Sequence, residues 1–305
     1  MSFKYMKSVI LLSMVLSMLC IPATTVLCQN SHHGAYQDNS QPMKKGILLV
    51  AFGTSIPKAQ IAFNNIEKKV QDTFPGISVR WAYTSSIIRH KLAKRGKILD
   101  STAMALAKMM DEGFTHVAVQ SLHTIGGAEY HDMVRIVKAY KNLPGGIKRI
   151  LIGNPLLSSQ ADIEAVTDAI IANIPKKLKR REAVVLMGHG THHPANAFYA
   201  ALAFNLQQKN PNIFVGTVEG SPEIDDIKAM LKDKKIKRAY LMPFMSVAGD
   251  HAINDMASSE PDSWKSILHK AGIKCKAILK GTAEFDTMVD IWVDHLKVVM
   301  AHFNR

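Results

Sequence analysis

From Lys45 onward the chain alternates short apolar runs with longer stretches whose apolar residues recur at helical spacing. The runs fall near 46–52, 78–84, 116–122, 149–153, 183–188, 213–217, 238–247 and 275–280. A strand covered on both faces reads as such a continuous run, and a helix-length segment between consecutive runs implies parallel pairing through crossovers. The pattern predicts an α/β protein of two similar domains, each a four-stranded parallel sheet flanked by helices. The charged connection "PKKLKRR", Pro175 to Arg181, marks the boundary, giving an N-terminal domain over 45–180 and a C-terminal domain over 181–305.

The two sets of runs resemble each other. "ILLVAFGT" (Ile47 to Thr54) lies on "VVLMGHGT" (Val184 to Thr191), which sets Phe52 on His189 and Gly53 on Gly190. "TIGGAEY" (Thr124 to Tyr130) lies on "SVAGDHA" (Ser246 to Ala252), which sets Gly127 on Gly249 and Glu129 on His251. Duplication followed by divergence accounts for both matches. His189 and His251 then follow the first and third strands of the second half, and Glu129 follows the third strand of the first.

Ligands of open α/β sheets bind beyond the carboxyl ends of the strands, so a cleft between facing halves gathers these three residues. Two neutral imidazoles and a carboxylate suit a borderline divalent metal with coordination positions left open. Asp255, four residues after His251, is placed to accept the imidazole proton if a helix begins between them.

Composition adds limits. With 305 residues, 47% of them hydrophobic, the chain can bury a large core. Its start is different: Lys4 and Lys7 precede the apolar run Val9 to Ile21, followed by Pro22 and small residues, the layout of a secretory signal peptide over 1–28. A polar tail over 29–44 follows, and the expected location is periplasmic. The run is short for a membrane span, so none is expected after processing. Cleavage removes Cys20 and Cys28 and leaves Cys275 alone, which excludes an internal disulfide.

The formal charge is +13, or +11 without Lys4 and Lys7, which favours an acidic partner. The basic clusters are Arg89 to Lys97, Lys176 to Arg181 and Lys232 to Arg238. The first follows an expected strand, so Arg89 and Lys91 are candidates to face a ligand, whereas the other two read as solvated faces. Nucleic acid is not indicated, because the clusters lack interleaved aromatics and zinc-finger spacing.

Other chemistries fit less well. "GTS" at Gly53 is followed by no Gly-Lys-Ser/Thr, Gly188 stands where a phosphohistidine enzyme has arginine, and no G-x-S-x-G occurs. His192 and His193 read as residues of a helix start, His32 and His33 as part of the polar tail, and Met109, Met110, Met242 and Met245 as core.

The segments "LLVAFGTS", "AVQSLHTIGGAEY", "PLLSS", "MGHGTHH" and "LMPFMSVAGDHAINDMASSEPDSWK" resemble the anaerobic cobalt chelatase family, the sirohydrochlorin cobaltochelatases of the class II chelatases. The resemblance runs from Lys45 to the C-terminus. It implies a cleft that inserts Co2+, with Fe2+ as an alternative, into sirohydrochlorin, a polycarboxylate tetrapyrrole, in cobalamin or sirohaem biosynthesis. The family's metal-binding histidines map onto His189 and His251, and its acidic partner onto Glu129. Gly127, Gly188, Gly190 and Gly249 would let a flat ring approach the backbone, and Arg89 and Lys91 would meet its carboxylates.

His131, two residues after Glu129 on an expected helix, should point away from the cleft. It is a surface histidine or a separate ligand, for another metal or for a haem held between subunits of a homo-oligomer. The export signal departs from an intracellular pathway and supplies the rival reading, an exported carrier of haem, tetrapyrrole or metal that uses the cleft without catalysis.

Overall fold

The computed structural model describes residues 42–141 and 143–304, so the expected signal peptide over 1–28 and most of the polar tail lie outside the described residues. The first sheet contains β1 (Lys45–Ala51), β2 (Ser78–Tyr83), β3 (His116–Ser121) and β4 (Arg149–Gly153) in the order β2-β1-β3-β4, all parallel. The second contains β5 (Glu182–Gly188), β6 (Ile213–Thr217), β7 (Arg238–Pro243) and β8 (Lys274–Ala277) in the equivalent order β6-β5-β7-β8, again parallel.

The register reproduces the repeat independently of the motifs. Ile47 pairs with Ala118 and Val184 with Tyr240, so laying β1 on β5 lays Ala118 on Tyr240. That is the same step along the chain as from Thr124 to Ser246. Gly53 and Gly190, matched by the repeat, both turn the chain with positive φ (108° and 82°), a conformation open to glycine without steric cost.

Helices α1 (Gln60–Thr73), α2 (Ser86–Ala93), α3 (Thr102–Asp111), α4 (Ala128–Tyr140) and α5 (Gln160–Asn173) alternate with the first sheet. Helices α6 (Ala197–Lys209), α7 (Ile224–Asp233), α8 (Trp264–Lys270) and α9 (Asp286–Ala301) accompany the second. Local chemistry sets several starts: the side chains of Ser85, Ser101, Ser159 and Ser263 each accept a backbone N–H in the first turn of the following helix.

Strand alternation divides the core. Ile47 and Leu49 of β1 face a cluster shared with Val184 and Leu186 of β5, while Leu48 and Val50 face α3 and α4 on the outside. On the outer face of the second sheet, Val185 and Met187 pack with Ile227, Leu231 and Trp264. Each such fully buried aliphatic side chain contributes about 1.5–3 kcal/mol, and the inner cluster joins residues of both halves in one continuous core.

Helix α9 follows the second sheet in sequence but packs on β3 and β4 of the first, where His295 Nε2 donates to Asp162 Oδ1 of α5 at 2.9 Å. Segment 181–305 thus supplies a helix to the first half. The run expected as strand over 238–247 ends as strand at Pro243: Phe244 keeps one backbone bond to the Met187 carbonyl of β5, and Val247 is apolar because it is buried in the wall of the cleft. Among the described residues no helix is long and apolar enough to cross a membrane.

Candidate active site

The loops after β1, β3, β5 and β7 leave the carboxyl ends of their strands on one side and enclose a cleft of about 350 Å3 lined by both halves. Phe52, Glu129, His189 and His251 all line it, and the repeat partners Phe52 and His189 face each other with ring centroids 6.4 Å apart. The His189 and His251 rings stand 4.8 Å apart and nearly perpendicular.

The hydrogen bonds of these imidazoles fix their chemistry. His251 Nδ1 lies 2.5 Å from Asp255 Oδ2, and His189 Nδ1 lies 3.1 Å from the Gly190 carbonyl oxygen. An ionised carboxylate and a carbonyl only accept, so each Nδ1 carries the proton and each neutral ring keeps its lone pair on Nε2. This is the tautomer a metal-binding imidazole requires, with the orienting partner on the other nitrogen. The geometry that brings Asp255 back to His251 is a π-helical turn over Ala252–Met256, wider than the α-helical turn expected from the spacing.

Glu129 enters the cleft from the first turn of α4, where the helix dipole favours a carboxylate. Glu129 shares the cleft with the histidine pair, although among the described residues no three His, Cys, Asp or Glu side chains stand together as a ready metal-holding group. Its charge also acts on His123 and Tyr199.

Neither of those two residues stood out in the sequence. His123 follows β3 on the cleft wall, with Nδ1 2.9 Å from Ser121 Oγ. It keeps some accessible surface, yet the surrounding protein desolvates it enough to push its imidazole down to about 4, opposed by the Glu129 charge. Its place in "SLHTIGG", just past a strand end, was the available signal. Tyr199 of α6 is buried under the cleft floor, and burial pushes its phenol up to about 12, opposed by the nearby backbone of Gly190 and His189. An aromatic residue on a helix carries no local sign that it supports a loop elsewhere.

Several expectations are corrected. Arg89 does not line the cleft: its Nη1 donates to the carbonyls of Tyr83 and Thr84 at 2.6 and 2.9 Å, bracing the turn before α2. Lys91, two residues on, does line it. Gly188 serves internal packing rather than a ligand, since a Cβ there would stand 2.5 Å from the Tyr199 ring, and one on Gly190 would stand 2.1 Å from the Glu219 oxygen. Gly127 and Gly249 line the cleft and have only ordinary contacts around an added Cβ, so the cleft side of each is open.

Met109 and Met242 are core, whereas Met245 lines the cleft. His193 accepts the Ala195 N–H at the start of a 3-10 turn, as a residue of a helix start does. His131 lies on α4 outside the cleft lining, with Nδ1 2.9 Å from the Gly127 carbonyl and its ring 5.0 Å from that of His193. That contact between the halves was not legible in the sequence, and it lends no support to a haem.

Two facing parallel sheets with a histidine pair at the carboxyl ends of the strands define a chelatase-type fold. SirB from Bacillus subtilis, solved with Fe3+, shares it with a TM-score of 0.57 at 16% identity, over 86% of this chain and 98% of that one. The chain belongs to the cobalt chelatase (CbiK) family, whose model matches residues 45–301. It is 45% identical over 258 residues to the sirohydrochlorin cobaltochelatase CbiKC of Nitratidesulfovibrio vulgaris, covering 85% of this chain and 91% of that protein. It is 40% identical over 258 residues to the sirohydrochlorin cobaltochelatase of Salmonella typhimurium, covering 83% of this chain and 96% of that protein.

Proposed function

We propose that the cleft inserts Co2+ into sirohydrochlorin, with His189 and His251 receiving the ion. The observation that carries this reading is the pair of Nδ1 contacts: each imidazole sets Nδ1 against an acceptor oxygen, which leaves the Nε2 lone pair for the shared cleft. The relatives that are 45% and 40% identical bear the name of this activity. Phe52 and Ile87, 39% and 76% exposed on the cleft lining, offer apolar surface to a flat macrocycle, and Lys91 offers a cation to its carboxylates.

Insertion replaces two pyrrole N–H bonds by metal–nitrogen bonds and releases two protons. Glu129, a carboxylate in the same cleft and outside the histidine pair, is the base that takes them one at a time and passes each to solvent through the open cleft, and His123, neutral through the physiological range, is the adjacent polar group that does not compete for them. An incomplete ligand set suits a metal that must leave: two imidazoles hold the ion while macrocycle nitrogens take the remaining positions.

The test is an oxygen-free insertion assay with sirohydrochlorin and either Co2+ or Fe2+, followed by absorbance. Insertion by the wild-type chain and its loss in both His189→Ala and His251→Ala, with native far-ultraviolet spectra, is the expected result; wild-type rates in both variants would remove the reading. The same proposal places the mature protein in the periplasm, on the strength of Lys4, Lys7 and the run Val9 to Ile21. Cell fractionation and N-terminal sequencing of the product check that part separately.

A further inference from the structure

The halves differ at the end of the sheet remote from the cleft. There Arg181 before β5, Lys232 in the last turn of α7, and Lys235 and Lys237 between α7 and β7 line a concavity of about 250 Å3. No carboxylate among the described residues lines it. Neighbouring cations are already engaged, Arg238 with Glu182 at 3.3 Å and Lys234 with the Pro211 carbonyl at 2.7 Å, whereas the four lining cations have no ion-pair partner among the described residues.

Cations at helix C-termini complement the helix dipole, which would explain Lys232. The internal repeat supplies the control for the rest. In the first half the N–H groups of Thr115 and His116 bond the Lys44 carbonyl, as those of Lys237 and Arg238 bond the Arg181 carbonyl. Gly113 and Phe114 close α3 on Met110 and Met109, as Lys235 and Ile236 close α7 on Lys232 and Leu231. The positions of Arg181, Lys232, Lys235 and Lys237 are thus held in the first half by Lys44, Met110, Gly113 and Thr115. One cation stands there where the second half has four, on the same backbone.

Lys235 is the telling member. It adopts φ 54° where its counterpart Gly113 has 77°, and it is the only non-glycine residue with positive φ among the described residues. A Cβ is crowded in this conformation, so lysine at a glycine position weakens the turn it closes and adds a charge to a cluster that already repels itself.

We propose that this basal concavity is a binding site for a phosphate-bearing polyanion, a compact group whose several charged oxygens match clustered ammonium groups and a guanidinium. The site lies at the opposite ends of the strands from the cleft, so it is independent of metal insertion.

Tripolyphosphate is the probe, titrated calorimetrically into the full chain with sirohydrochlorin present to fill the cleft. Saturable binding that weakens with salt is expected, falling about tenfold or more in the Lys232→Gln, Lys235→Gly, Lys237→Gln triple variant while insertion rates are unchanged. Lys235→Gly alone should raise the thermal midpoint and weaken binding together. A second arm uses phosphatidylglycerol vesicles against phosphatidylcholine vesicles. Binding to the anionic vesicles that tripolyphosphate displaces identifies a lipid headgroup as the source, and tripolyphosphate binding without vesicle affinity identifies a free oligophosphate. Failure of both probes to bind the wild type, or equal binding by the triple variant, would make these cations solvated surface and overturn the proposal.

Discussion

Asp255 Oδ2 holds His251 Nδ1 at 2.5 Å across a single π-helical turn, so the ring nitrogen of His251 left with a lone pair is chosen by a residue that does not line the cleft. Orienting partners of this kind are typically worth 10–100-fold in metal affinity or activity. Asp255→Ala is therefore expected to lower insertion by about 10–100-fold, and Asp255→Asn, whose amide oxygen still accepts, by less. Equal rates for wild type and Asp255→Ala would show that the contact does not orient the imidazole.

Gly188 and Tyr199 form the support of His189. Gly188→Ala forces a Cβ to 2.5 Å from the Tyr199 ring, which is expected to destabilise the fold by about 1–3 kcal/mol and to displace the adjacent histidine. Tyr199→Phe keeps the ring that packs on Gly188 and removes only the phenol oxygen beside the Gly190 and His189 backbone, so it should cost far less stability than Gly188→Ala. Denaturant midpoints and insertion rates measured on both variants separate the two effects.

Lys91 and Arg89 should part company. Lys91→Ala is expected to raise the apparent KM for sirohydrochlorin and to reduce its salt dependence, because a cleft cation is lost. Arg89→Ala should leave KM near the wild-type value and lower stability, because two backbone carbonyls lose their donor. A rise in KM for Arg89→Ala with unchanged stability would restore Arg89 to the ligand.

His123 gives stability a pH dependence with a definite sign. Its imidazole titrates near 6.5 when unfolded and is pushed to about 4 in the fold, so between these values the unfolded chain binds a proton that the folded chain refuses. This contribution is fully present above the unfolded value and is lost as pH falls towards the folded one, by up to on the order of 3 kcal/mol. His116, lowered chiefly by desolvation, acts in the same sense. Denaturant unfolding followed from neutral to acid pH should show a shallower loss in His123→Gln than in the wild type; parallel profiles would place His123 in water.

His131→Ala should spare metal insertion, since the residue lies in the first turn of α4 against His193 of the other half and not on the cleft lining. A loss of insertion comparable to that of His251→Ala, with folding preserved, would reassign the cleft face of α4.

Hydrophobic periodicity determined the eight strands and their division into two sets, because a doubly covered parallel strand must be apolar, but it overran the end of β7, where buried loop residues continue the apolar run past Pro243. The repeat was likewise in the sequence, and the sheet register reproduces it. What the chain could not reveal locally is which remote surface covers each face. An amphipathic helix records that one side is buried, not against what, so only the tertiary structure sent α9 back to β3 and β4 and placed Tyr199 under the Gly188 turn. The same limit applies to charge. Arg89 and Lys91 read alike in one basic run, but the turn after β2 offers two carbonyls to the first and the open cleft to the second. The clusters around Arg181 and Lys235 read as separate solvated segments, until parallel pairing of β5 with β7 set their starts side by side at one end of the sheet.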